Sequence, residues 1–195
     1  MLAGVVALTG CGAARTATQH STAPLPPYIR PIPIGRAPAY RIAPTSAAVT
    51  RRRAIGGLAC GTHSGAVYAI HLELFADRLV VPVPAGIGVA PPLRRSGAYV
   101  LGGKCTYPVW TLEPTGVVRI VGAHTPTLGT LFAIWGQPLT RTRLATFDGQ
   151  VRAFVDGRRI NGPPTAIALR RQAEIVLEIG GYIPPHPTYT FPPGL

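Results

Sequence analysis

The side chains of this chain that could do chemistry are few: three cysteines, five histidines and seven acids in 195 residues. The histidines are His20, His63, His71, His124 and His186, and no two stand one, three or four residues apart. No local zinc or copper clamp is therefore written into the chain. His71 alone falls inside an apolar segment with strand character, where a single histidine is ordinarily a hydrogen-bonded structural residue. The acids offer no general acid and base pair; Glu174 and Glu178 share one face of a predicted strand that reads as structural. There is no GxSxG elbow and no phosphate-cradling GxxxxGK[ST] order. Gly86 and Gly88 lie in AGIGVAPP, whose prolines exclude a following helix. Nothing positive supports a hydrolase or a nucleotide enzyme. The expectation is a protein that is not an enzyme, the alternative being a cell-envelope enzyme of unseen mechanism.

The cysteines are Cys11, Cys60 and Cys105. The opening MLAGVVALTGC is an apolar run ending in Leu8-Thr9-Gly10-Cys11, which resembles the lipobox of bacterial lipoproteins. It is too short to span a membrane. No Lys or Arg precedes the run, which departs from the usual basic start, and the competing reading is a buried N-terminal strand. If Cys11 carries lipid, Cys60 and Cys105 remain as an even pair, which in an oxidising compartment favours a disulfide over two buried thiols.

The net charge of +12 comes from 18 arginines and one lysine, Lys104. The arginines are scattered, with Arg51, Arg52 and Arg53 the single run of three, and no recognition-helix or aromatic ribonucleoprotein pattern accompanies them. Specific nucleic-acid binding is not expected. Anionic lipid or an acidic wall polymer suits the charge, and a lipidated cysteine followed by a basic tail would supply two membrane-anchoring signals.

Three segments must position these residues. Residues 1–11 read as a lipoprotein signal peptide ending in the lipobox cysteine. Residues 12–54, rich in Pro, Ala and Arg, read as an extended disordered tether, with a PxxP ligand as the alternative. Residues 55–195 read as one domain. AVYAIHLELFADRLVVPVP predicts two strands around a tight turn at Ala76-Asp77-Arg78. Strands are predicted at 99–101, 107–112 and 117–121, with Glu113-Pro114-Thr115-Gly116 as a turn. Thr127 caps a short helix bearing Leu128, Leu131, Phe132 and Trp135, stopped by Gly136 and Pro138. A strand, a turn at Asp156-Gly157 and a last strand over 174–179 complete an α+β fold: a small mixed sheet of short strands with one short helix, β-grasp-like in its C-terminal part.

VPAGIGV, the cysteine-strand-turn of 105–116, TLGTLFAIWGQPLT, FVDGRRINGPP and the final YTFPPGL follow in order. Together they resemble a family of poorly characterised secreted or lipid-anchored bacterial proteins, over roughly residues 55–195. The family resemblance implies a histidine triplet at alternate positions of the first strand, a His-Thr-His-Asp hairpin after the second cysteine, and one further histidine. Such a set on one sheet face would suit a transition metal. In this chain the triplet falls on Val67, Ala69 and His71. The hairpin histidines fall on Trp110 and Leu112, the aspartate on Glu113 and the last histidine on Arg119. The resemblance therefore implies a degenerate metal-type site with no metal expected.

The resulting expectation is a lipid-anchored extracytoplasmic bacterial protein, periplasmic or on the cell surface, acting as a binding or structural module. His71, Tyr107, Trp110, Glu113 and Arg119 form its candidate ligand patch. The alternative is residual copper or zinc binding through His71, Glu113 and His124.

Overall fold

The pattern that alternates from Val67 onward builds the longest strand among the described residues. The computed structural model describes Met1 and residues 46–122 and 125–195. A helical turn, α1 (Ala47–Thr50), precedes the first strand, and the Ser46 hydroxyl accepts from the Val49 N–H at its start. Val49 is fully buried in the main core. Packed structure thus begins inside the interval read as tether, ahead of Ile55.

Among the described residues eleven strands follow: β1 (Val67–Ala76), β2 (Leu79–Val80), β3 (Arg94–Ser96), β4 (Tyr99–Gly102), β5 (Val109–Trp110), β6 (Val117–Val121), β7 (Arg143–Leu144), β8 (Phe147–Asp148), β9 (Val151–Val155), β10 (Arg158–Ile160) and β11 (Glu174–Ile179). The main sheet runs β10-β9-β11-β1-β6-β5, with β2 folding back on β1. β1 and β11 are parallel, in the register His71 to Glu174 through Ala76 to Ile179; the other pairings in this sheet are antiparallel. Two antiparallel pairs, β1/β6 and β9/β10, with β11 inserted between them, make the strand order of a β-grasp. The fold is α+β as expected, and β1 and β6 belong to the grasp as well as the C-terminal strands.

The helix α2 (Leu128–Trp135) comes between those two pairs in the chain. The Thr127 hydroxyl accepts from the Thr130 N–H, and Gly136 ends the helix in the left-handed conformation at φ 75°, the two terminal devices that its sequence predicts. Leu128, Leu131, Phe132, Ile134 and Trp135 are buried. They join Tyr68, Ile70, Leu72 and Leu74 of β1, Val118 and Ile120 of β6, and Ile175 and Leu177 of β11 in one core. Alternation sends the intervening residues, His71, Glu73, Phe75, Arg119, Glu174, Val176 and Glu178, to the opposite face.

That second face is covered by the C-terminal segment. Ile183 packs on Phe75, Phe154 and Val176, Tyr182 lies against Phe154, and the Gln172 side-chain amide donates to Leu195 O at 3.0 Å. Prolines at 184, 185, 187, 192 and 193 keep this strap out of the hydrogen-bonded ladder. Cover on both sides explains why eight of the ten β1 residues are buried.

Candidate functional site

The polar residues of the second face converge where β1 meets β11. His71 Nδ1 lies 2.8 Å and 3.0 Å from the two carboxylate oxygens of Glu174, its cross-strand neighbour. The imidazole Nε2 lies 2.8 Å from Thr115 O. A carbonyl oxygen only accepts, so Nε2 carries the hydrogen. Both residues are buried, at 6% and 1% exposure. Burial pushes the Glu174 carboxyl above its ordinary value, against the opposing pull of the hydrogen bond from His71.

Thr115 reaches His71 through the turn between β5 and β6. Gly116 holds φ 84°, and a Cβ there would fall 2.4 Å from Leu72 O and 3.0 Å from His71 Nε2. Glycine is thus required both for the left-handed backbone and for the close approach. Leu72 N–H donates to Gly116 O at 2.9 Å and locks the turn onto β1.

Two residues after His71, Glu73 presents its carboxylate on the same face. Its oxygens lie 2.9 Å and 3.0 Å from His186 Nδ1 in the strap. Ligand atoms of His71, Glu73 and Glu174 all lie within 4.8 Å of one another. Tyr189 stacks flat on the His71 ring, 3.8 Å between centroids and 9° between planes, and Phe191 meets Tyr189 edge-on. Glu178, fully buried, pairs with Arg152 at 3.1 Å and accepts from the Ile183 N–H.

The structure divides the expected ligand patch. Tyr107 turns to the other side, fully buried in the main core with its hydroxyl donating to Arg53 O. Trp110, opposite Arg119 in the β5/β6 register, is half-buried against Ala85, Val89 and Val100. Arg119 donates to Glu113 at 2.8 Å, an ion pair where the resemblance implies an imidazole and a carboxylate. His71 stands apart from these, on Glu174, Thr115 and Tyr189. Cys11, His20 and His124 lie outside the described residues.

Sequence reasoning missed Glu73 and His186 and left Glu174 as structural. The signal for Glu73 was present, because strand alternation puts it on the face of His71. Glu174 needed the parallel β1/β11 register and His186 the path of the strap, neither of which periodicity specifies.

Cys60 and Cys105 form a disulfide, with Cα atoms 5.6 Å apart. It fastens the segment before β1 to the segment before β5, where Gly61 and Thr106 exchange backbone hydrogen bonds and His63 Nε2 donates to Thr106 O. Among the described residues no helix is long and apolar enough to cross a membrane.

No protein-family model, no curated protein and no solved structure matches the chain.

Proposed function

We propose that this chain is an extracytoplasmic module, anchored by lipid on Cys11, that serves binding or structure and not catalysis. The observation that carries the reading is the Cys60–Cys105 disulfide, since such bonds persist outside the reducing cytosol. The Leu8-Thr9-Gly10-Cys11 motif supplies the anchor, and the basic charge of +12 suits an anionic surface such as lipid headgroups or a wall polymer. The resemblance to secreted or lipid-anchored bacterial proteins points the same way. On the second face Glu113 with Arg119 and Glu178 with Arg152 are engaged in ion pairs, which supports a structural use of these four groups. Glu113 spends its carboxylate on Arg119, and this weighs against a copper or zinc set of His71, Glu113 and His124.

Metabolic labelling with radioactive palmitate tests the anchor. Label in the wild-type chain and none in a Cys11→Ala variant is expected; no label, or equal label in both, overturns it.

A further inference from the structure

We propose that His71, Glu73, Glu174 and His186 form a site for one divalent transition-metal ion, zinc or copper(II), between the sheet and the C-terminal strap. The proposal goes beyond the anchoring reading and stands or falls separately from it.

The His71 ring supplies the first argument. Its Nε2–H donates to Thr115 O, the arrangement by which metal-ligating histidines are usually oriented, the other nitrogen being left to bind. That other nitrogen, Nδ1, faces the Glu174 carboxylate at 2.8 Å. An imidazole lone pair and a carboxylate oxygen at this distance repel unless a cation lies between them. A proton can fill that role, and so can a metal ion.

The donor set supplies the second. Imidazole nitrogen and carboxylate oxygen are the ligands that zinc and copper(II) accept. The ligand atoms of His71, Glu73 and Glu174 lie within 4.8 Å of one another; a tetrahedral ion about 2.0–2.2 Å from each ligand needs them about 3.5 Å apart. An ion entering would open the His71–Glu174 pair from 2.8 Å and draw in any ligand atom beyond that spacing. Two neutral imidazoles and two carboxylates around a divalent ion leave no net charge, which a buried site favours.

The strap supplies the third. His186 reaches Glu73 from the solvent side, with its side chain 62% exposed; it stands outside the three-residue cluster and would swing in from Glu73 to complete the set as the fourth ligand. Tyr189, flat on the His71 ring, keeps water from the inner ligands.

The test is titration calorimetry with zinc chloride and copper(II) chloride on the full chain, stripped with chelator, disulfide intact, in a Cys11→Ala background that carries neither lipid nor a thiol at that position. His186→Ala and Glu73→Gln are the informative variants, because both positions border solvent and neither variant empties the core. The expected result is one ion per chain, bound at least about tenfold more weakly by each variant, with metal-free thermal unfolding close to that of the parent. Absence of binding, or binding undiminished in both variants, overturns the proposal.

Discussion

His71 Nδ1 stands 2.8 Å from Glu174 Oε2 across the parallel β1/β11 pair, both side chains buried on the sheet face away from the helix. The first and last long strands of the domain are thus joined by a buried side-chain contact as well as by backbone ladder. Its value shows when one partner is removed. Glu174→Ala should lower unfolding free energy by about 2–3 kcal/mol, because it leaves the buried Nδ1 of His71 without its partner. Glu174→Gln should cost less than about 1.5 kcal/mol, because the amide can donate to Nδ1. Urea unfolding of the metal-free variants reads both, and equal losses would contradict the pairing.

Gly116 and Gly57 separate two costs of replacing glycine. Both have positive φ, but a Cβ at Gly57 meets nothing within 4 Å while one at Gly116 meets Leu72 O and the His71 ring. Gly57→Ala should cost about 1 kcal/mol from backbone strain alone. Gly116→Ala should cost at least about 2 kcal/mol more, the difference being steric. Thermal unfolding of the two variants side by side measures it.

Local chemistry was the legible part of the fold. Thr127 and Gly136 bounded the helix, Asp77-Arg78 and Asp156-Gly157 gave the tight turns, and alternation gave β1 and β6. The site was much less legible. Tyr107 and Trp110 sit three residues apart, an odd spacing that puts them on opposite faces of an extended chain, so they could not make one patch. Pairing Glu174 with His71 depends on a parallel contact between residues 103 positions apart, which local pattern does not encode. The strap offered only a proline-rich, aromatic tail, and proline gives no periodicity to follow.

Tyr189 should control access to His71. With the flat contact of 3.8 Å removed, Tyr189→Ala should raise carbethoxylation of His71 by diethyl pyrocarbonate several-fold relative to His63. Peptide mapping by mass spectrometry reads both sites in one sample, and an unchanged ratio would show that the strap does not protect the ring.

The disulfide closes a loop between positions 45 apart. In the chain-entropy model its removal in a Cys60→Ser, Cys105→Ser variant should lower stability by about 4 kcal/mol at most. Loss below about 1 kcal/mol would mean that the 55–61 segment holds its place on residues 105–106 without the bond.

Intact mass of the native protein from the membrane fraction, recorded with and without reductant, tests the central claim most directly. A chain beginning at Cys11 with a diacylglyceryl group, gaining about 2 Da on reduction, is the predicted result. An unlipidated chain from the soluble cytoplasmic fraction, with no mass change on reduction, would contradict the account.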